Sequence, residues 1–275
     1  DNVHLRFGLP LSHRLHDADT KCNCGVRPNS FQFTQEFFDH VLSCNKTKGT
    51  KLKRHNLILP VLQSFFEELG YEFDTSVDGC GFSNVIHAVP GQGSGRLPGD
   101  CKLDAVAHWV ADRSKSWGID VTVWHQNSQS ARKNESAASA PNADCFITRA
   151  AETSKYAKYL QLCNDRGIQL LPSAFNTYGG WGEVILKEVV HPHFNKLRDE
   201  EFEKCGHEWA ALQKREFLFQ AVSVAIAKGN SIILNTMDQE WRMAHRAKQM
   251  RGKPFAAKPD LSEKSEIAVS IAAGA

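Results

Sequence analysis

Asp100 and Asp120 are the residues of this chain whose type and spacing best suit catalysis. The sequence predicts that Asp100 begins one apolar strand and that Asp120 lies inside the next. Carboxylate oxygens on adjacent strands can hold a divalent metal ion against a phosphate group, and a nearby lysine can stabilise charge or orient the attacking water. The pair therefore suggests a metal-dependent nuclease. The alternative is an α/β protein that has two aspartates at strand ends without catalytic activity, which is common.

A second group of residues with ligand chemistry lies near the N-terminus. Cys22 and Cys24 are one residue apart in a predicted loop, and His40 and Cys44 fall four apart along a helix predicted at residues 31–43 or at its end. Three thiolates and an imidazole are a usual ligand set for structural zinc. We therefore predict a zinc knuckle of the form C-x-C-x15-H-x3-C. The alternative is a set of unrelated buried thiols and a helix-end histidine.

A positively charged run follows the last candidate zinc ligand. Residues 46–54 hold five basic side chains, Lys46, Lys48, Lys51, Lys53 and Arg54. Such a run is usually a solvated surface, but beside a zinc module it is a candidate contact for nucleic-acid phosphates. The net charge of the chain is only +2, so a nucleic-acid surface must be local.

The elements that would position these groups follow from hydrophobic periodicity. An amphipathic helix is predicted from Arg54 to the stop at Gly70. Strands are predicted at residues 71–77, 102–110 and 118–124, then a helix at 147–164 and a strand at 167–175. Beyond these, helices are predicted at residues 183–196, 207–228 and 231–248. This pattern is typical of an α/β protein with a helical extension.

Several short motifs occur in an order that resembles a known family. They are C-x-C-G at residues 22–25, D-H-V-L-S-C at 39–44, R-H-N at 54–56, R-x-P-G-D at 96–100, D-V-T-V at 120–123, K-x-x-K-Y at 155–159, Y-G-G-W-G at 178–182 and A-V-S-V-A-I-A-K-G-N at 221–230. The set resembles the restriction-like endonuclease at the C-terminus of non-LTR retrotransposon reverse transcriptase polyproteins. That region is a branch of the PD-(D/E)XK nucleases and follows a CCHC zinc knuckle.

The resemblance implies a PD-(D/E)XK core with the element order αβββαβ. We assign the zinc knuckle and basic run to residues 1–50 and the endonuclease core to residues 51–182. Residues 183–252 form the helical extension, and residues 253–275 are predicted to be a disordered tail. Since these parts take up the length of the chain, it would be the terminal domain of a larger polyprotein, or a detached remnant of one.

The resemblance also implies an activity. Asp100 and Asp120 would hold Mg²⁺, or Mn²⁺, and the chain would nick target DNA so that a reverse transcriptase primes from the new 3′ end. The implied partners are DNA, the RNA of the element and the reverse transcriptase domain of the parent polyprotein.

The catalytic lysine departs from the superfamily pattern. That pattern places it two residues after the second acid, where this chain has Thr122. The K-x-x-K-Y motif of the resemblance instead points to Lys155 as the catalytic residue, with Lys158 as an assistant or phosphate contact and Tyr159 beside them. The alternatives are an inactive site or two lysines that face solvent.

Composition bounds the remaining possibilities. The hydrophobic fraction of 41% supports a core, and eight cysteines are too few for a disulfide scaffold. A nuclear location, or a cytoplasmic one before import, is therefore expected, rather than secretion. No apolar run approaches the roughly 20 residues of a membrane span, so no membrane partner is expected.

Two rival functions remain open. One is a non-catalytic, zinc-dependent nucleic-acid-binding module, and the other is an interaction scaffold with a decayed site. A scaffold fits the near-neutral charge of the chain. The presence of both aspartates favours the enzyme.

Overall fold

The computed structural model describes residues 22, 24, 35–44, 46, 48–75, 103–112, 115–125 and 143–252. The elements, in chain order, are α1 (Gln35–Ser43), α2 (Lys48–Glu68), β1 (Tyr71–Asp74), β2 (Ala105–Trp109), β3 (Ser116–Trp124), α3 (Ala143–Asn164), β4 (Gln169–Asn176), α4 (Glu183–Ile185), a π-helical segment (Leu186–Val190), α5 (His191–Cys205) and α6 (Trp209–Gly252). One compact unit ends at Thr236, and a second begins at Met237. The chain is a mixed α/β protein.

The four strands form one mixed sheet in the order β1-β2-β3-β4. Strands β1 and β2, and β2 and β3, are antiparallel, whereas β3 and β4 are parallel. A parallel pair needs a crossover connection, which helix α3 provides. The predicted order of a helix, three strands, a helix and a strand is confirmed by α2, β1, β2, β3, α3 and β4.

Strands β2 and β3 separate beyond Ile119. Strand β2 pairs with residues 116–119 of β3, whereas β4 pairs with residues 117–124. The carbonyl of Ile119 accepts a hydrogen bond from the backbone N–H of Asp104 at 3.0 Å. Because main-chain groups of alternate residues in a strand point to the same edge, those of Val121 point toward this divergence.

The sheet is buried on both faces. The apolar stripe predicted for α2 is confirmed, since Ile58 and Phe66 are fully buried in the cluster that covers one face. Helix α3 covers the other face and contributes Tyr159. The adjacent residues Leu170 and Leu171 of β4 belong to the two different clusters, as the two-residue repeat of a strand requires.

Helix α2 is longer than the sequence indicated. It begins at Lys48 rather than at Arg54 and contains Pro60. It ends before Gly70, whose φ of 83° suits glycine at a helix stop. The predicted domain boundary between residues 50 and 51 therefore lies inside this helix. The predicted tail at residues 253–275 lies outside the described residues.

Helix α6 is one helix where the sequence predicted two, separated at residues 229–230. Gly229 lies inside it. A Cβ at this position would lie 2.3 Å from Cγ of Arg54, so glycine allows α2 and α6 to approach closely. Over Trp209–Glu240, α6 is long and apolar enough, by length and composition alone, to cross a membrane. A core helix meets the same criteria, and Val222 and Ile226 of α6 are fully buried.

Candidate active site and metal centre

The four predicted zinc ligands come together. The ligand atoms of Cys22, Cys24, His40 and Cys44 all lie within 4.8 Å of one another. Zinc–sulfur bonds of about 2.3 Å in a tetrahedron separate the sulfurs by about 3.8 Å, so a small inward movement would close the set around an ion. Helix α1 carries His40, and Cys44 follows directly after it. The cluster could hold a metal ion such as zinc, as the sequence predicted.

The chemistry of the cluster suits metal binding. Burial raises the pKa of the Cys22 thiol to about 12, and the neighbouring Cys44 adds to this. Burial lowers the pKa of His40, and Lys51 adds to the effect, which favours the neutral imidazole that a metal requires. Cys24 Sγ lies 3.0 Å from His40 Nε2. A divalent cation would stabilise the thiolates that burial disfavours.

The basic run does not form a single exposed strip. Lys46 and Lys53 are exposed, and Lys48 begins helix α2. Lys51 is half-buried, donates a hydrogen bond to the carbonyl of Ser43 at the end of α1, and has a pKa lowered to about 8, mainly by burial.

Arg54 is buried and only 3% exposed. Its guanidinium donates to Asn230 Oδ1 at 2.9 Å and to the Val123 carbonyl at 3.4 Å. This corrects the sequence-based picture of Arg54 as a surface phosphate contact. The arginine has a structural role, and the phosphate contacts that remain candidates are lysines.

Asp120 lies in β3 and is 2% exposed. Its Oδ2 is 2.5 Å from Nζ of Lys155 on α3, an ion pair by distance rather than an aligned hydrogen bond. Burial raises the pKa of Asp120 more than Lys155 lowers it, and Asp104 raises it further. Helix α3 thus brings Lys155 next to Asp120. Buried ion pairs add little net stability, so this pair is a candidate for a functional role.

Asp104 is the other carboxylate that the structure describes near Asp120, and sequence reasoning missed it. It directly precedes β2, and its Oδ2 accepts a hydrogen bond from the Val121 N–H at 2.7 Å. His55 Nε2 on α2 lies 2.9 Å from the same oxygen. Although burial lowers the pKa of His55, the contact with Asp104 outweighs it and the pKa is raised. Asp100 lies outside the described residues.

A signal for Asp104 is present in the sequence. It is the last acidic residue before the apolar strand AVAHW, and the register that pairs Ala105 with Ile119 brings Asp104 next to Asp120. The R-x-P-G-D motif drew attention to Asp100 instead. The sequence places His55 in the R-H-N motif but indicates no role for it.

Lys158 and Tyr159 both lie near the ion pair, but Lys158 is exposed and Tyr159 is buried. Lys158 is exposed and donates to the Tyr159 hydroxyl at 2.6 Å. Tyr159 is 2% exposed and packs in the cluster under α3. The Lys155 ammonium lies 5.9 Å from the centroid of the Tyr159 ring. Tyr159 therefore contacts Lys158 through its hydroxyl and Lys155 through its ring, and Lys158 is accessible to solvent.

A buried network of polar side chains joins α1, the helix that carries His40 of the Cys/His cluster, to the sheet. His125, at the end of β3, lies 3.0 Å from Asp39 of α1 and 2.6 Å from the Thr177 hydroxyl. Asn230 donates to the Thr177 carbonyl at 2.9 Å and accepts from Arg54. This network therefore connects α1, α2 and α6 to the residues that directly follow β3 and β4, and all of its side chains are buried.

The Y-G-G-W-G motif supports this region through close packing. The Tyr178 hydroxyl lies 3.4 Å from Asp39 Oδ1. A Cβ at Gly182 would lie 2.2 Å from Oε1 of Glu152, which accepts a hydrogen bond from the Val184 N–H at 2.9 Å. Burial raises the pKa of Glu152 despite that hydrogen bond. The motif is structural in these contacts.

Comparison with known proteins adds no family assignment. No protein-family model and no curated protein matches the chain. The interpretation of the two clusters therefore rests on the geometry and chemistry of their own residues.

Proposed function

We propose that the chain is a metal-dependent DNA endonuclease with a PD-(D/E)XK core. The observation that carries the proposal is the 2.5 Å contact between buried Asp120 and Lys155, with Asp104 beside it where β2 and β3 separate. Carboxylates from adjacent strands and a lysine from the crossover helix are the groups that phosphodiester hydrolysis needs. The αβββαβ element order supports the same proposal.

The donor atoms at this site fit a hard divalent cation such as Mg²⁺ or Mn²⁺. Asp120 and Asp104 offer carboxylate oxygens, and the Val121 carbonyl points to the edge at which Asp104 accepts its hydrogen bond. Oxygen-only sets of this kind suit Mg²⁺. An ion held there would supply Lewis-acid stabilisation of the phosphate and a more acidic water. We propose Asp104 alongside Asp120 for this role.

Lys155 would act on the reacting phosphate. Its side chain is 21% exposed, so the ammonium can meet a substrate without leaving the site. Held by Asp120 and placed above the Tyr159 ring, it carries a positive charge to the position where negative charge develops. Its N–H groups at Nζ can also donate hydrogen bonds to an oxygen of the phosphate and to the attacking water, which would orient the water.

DNA would bind through the zinc module and the exposed lysines. Lys46 and Lys53 flank the first turns of α2, and Lys158 is exposed near the ion pair. Contacts of this kind are made to phosphates and do not read sequence. The resemblance of the motifs supports a role in nicking DNA for a reverse transcriptase in the nucleus, with the element RNA and the polymerase domain as partners.

A nicking assay on supercoiled plasmid with Mg²⁺ tests the proposal. Asp120→Asn should lower the nicking rate by roughly 100-fold or more, because it removes an anionic ligand and the partner of Lys155. DNA affinity in a gel shift, and its decrease with salt, should remain. The exposed Asp199 of α5 provides a control, since Asp199→Asn should nick like the parent.

Two outcomes would contradict the proposal. Equal nicking by the parent and Asp120→Asn would mean that Asp120 is not catalytic. A parent chain that binds DNA but does not cleave it with any divalent ion would favour the non-catalytic, zinc-dependent binding module, for which the exposed Lys46 beside the cysteine cluster is the supporting observation.

A further inference from the structure

The two carboxylate oxygens of Asp104 have different contacts. Oδ2 accepts from the Val121 N–H at 2.7 Å and lies 2.9 Å from His55 Nε2. Within the described part of the chain, both contacts fall on this one oxygen. The carboxylate is 25% exposed, so Oδ1 can accept a further ligand. If Asp104 served only to extend the pairing between β2 and β3, its contact with the Val121 N–H would be sufficient.

The histidine that makes the second contact is itself firmly placed. His55 Nδ1 lies 2.9 Å from Asn56 Oδ1, and the His55 side chain is 19% exposed. The preceding residue, Arg54, fixes this turn of α2 against β3 and α6 through the Val123 carbonyl and Asn230. The imidazole therefore approaches Asp104 from a helix whose position relative to β3 is set by buried contacts.

We infer that His55 is a positioning residue that, with the Val121 N–H, holds Oδ2 of Asp104 so that Oδ1 serves as a single-oxygen ligand for a divalent cation. The inference deepens the proposed nuclease function and rests on it for the identity of the site. A ligand carboxylate that is oriented by a second group loses less freedom when the ion binds. Removing such an outer partner typically lowers metal affinity by about 10- to 100-fold.

An opposite effect is also physically possible, which makes the inference sharply testable. A histidine next to a cation site can repel the ion by its own positive charge. If repulsion dominated, replacing His55 with any neutral side chain would tighten binding. If orientation dominates, a neutral side chain that keeps an N–H donor should bind the ion well, and one without a donor should bind it poorly.

The experiment measures Mn²⁺ affinity directly, without DNA, by electron paramagnetic resonance titration of the zinc-loaded full chain. Mn²⁺ is chosen because it takes the same hard oxygen ligands and is paramagnetic. His55→Phe should weaken binding about 10-fold, whereas His55→Gln should stay within about 3-fold of the parent because its amide still donates. His108→Gln is the matched control, since His108 contacts Ser116 instead, and it should not change the affinity.

Each result decides the question. His55→Phe binding Mn²⁺ as tightly as the parent, or more tightly, overturns the inference, and so does a parent chain without a Mn²⁺ site that Asp104→Asn removes. If His55→Phe does not fold by circular dichroism, His55→Leu replaces it as the variant without a donor. Mn²⁺ binding that follows the predicted order without DNA cleavage would leave the inference standing while the nuclease proposal fails. DNA cleavage together with unchanged Mn²⁺ affinity in His55→Phe would support the nuclease proposal and overturn the inference about His55.

Discussion

At the residue scale, Thr122 is where this sequence departs from the pattern of the superfamily that it resembles. It lies two residues beyond Asp120 on β3, at the position where the resembled superfamily carries its lysine, and a hydroxyl cannot supply a positive charge. Helix α3 brings Lys155 to 2.5 Å from Asp120 instead. A cationic group can therefore reach the same acid from a different element.

Lys155→Ala should reduce Mg²⁺-dependent nicking by roughly 100-fold or more, because the charge that stabilises the reacting phosphate is lost. DNA affinity should change little. Thr122→Ala should change the nicking rate by less than about 3-fold. Single-turnover rates at saturating Mg²⁺, with gel shifts for binding, measure both effects. Nicking by Lys155→Ala at the parent rate would show that the lysine is not catalytic.

Sequence reasoning found the residues whose partners are set by local spacing. Cys22, Cys24, His40 and Cys44 share a short segment, and their ligand types and helical spacing, together with the motif resemblance, predicted their cluster. Lys155 emerged only through the motif resemblance. Asp104 could have been found from its position directly before the strand AVAHW, whereas its contact with His55 could not, because that contact joins α2 to the start of β2 and no local pattern encodes it.

At the element scale, the order of helices and strands could be predicted from the apolar segments of the sequence together with the element order that the resemblance implies. The ends of elements could not. Helix α6 continues through Gly229, where a Cβ would meet Arg54, so this glycine is explained by contact with α2 rather than by a helix end. Arg54 is a second case, because the basic run at residues 46–54 predicts an exposed arginine, whereas its side chain is buried between α2, β3 and α6.

Two glycines in helices provide a matched test of this interpretation. At Gly229 a Cβ would lie 2.7 Å from the Cα of Arg54, a backbone atom that cannot rotate away, whereas at Gly49 in α2 no atom lies within 4 Å. Gly229→Ala should lower the free energy of unfolding by about 1–3 kcal/mol through overpacking. Gly49→Ala should raise it by about 0.4–1 kcal/mol through helix propensity. Urea unfolding measures both, and stabilisation by Gly229→Ala would refute the close approach.

At the scale of the whole molecule, the Cys/His cluster and the sheet should unfold together. Asp39 precedes the ligand His40 and contacts His125 at the end of β3, and the Tyr178 hydroxyl reaches the same carboxylate. Lys51 of α2 donates to the last carbonyl of α1. The cysteine cluster is therefore built into the core of the unit that ends at Thr236 and is not an appended finger.

Cys44→Ser should remove about one zinc ion per chain and lower Tm by roughly 10 °C, because metal-binding energy is also folding energy. The loss should appear as one cooperative transition of the core and not as a separate early one. The exposed Cys205 of α5 is the control, and Cys205→Ser should change neither zinc content nor Tm. Metal analysis and calorimetry measure these effects. A zinc-free variant with unchanged Tm would show that the cluster is not a structural metal site.

Helix α2 has a consequence for how such a protein can be divided and recombined. It contacts the end of α1 through Lys51, the candidate active site through His55 and the core through Phe66. A crossover between related genes near residue 50 would join the start of one copy of this helix to the rest of another, each selected against different neighbours. Inheritance of the Cys/His cluster together with the sheet is therefore favoured, and folded chimaeras should have their junctions outside Lys48–Glu68.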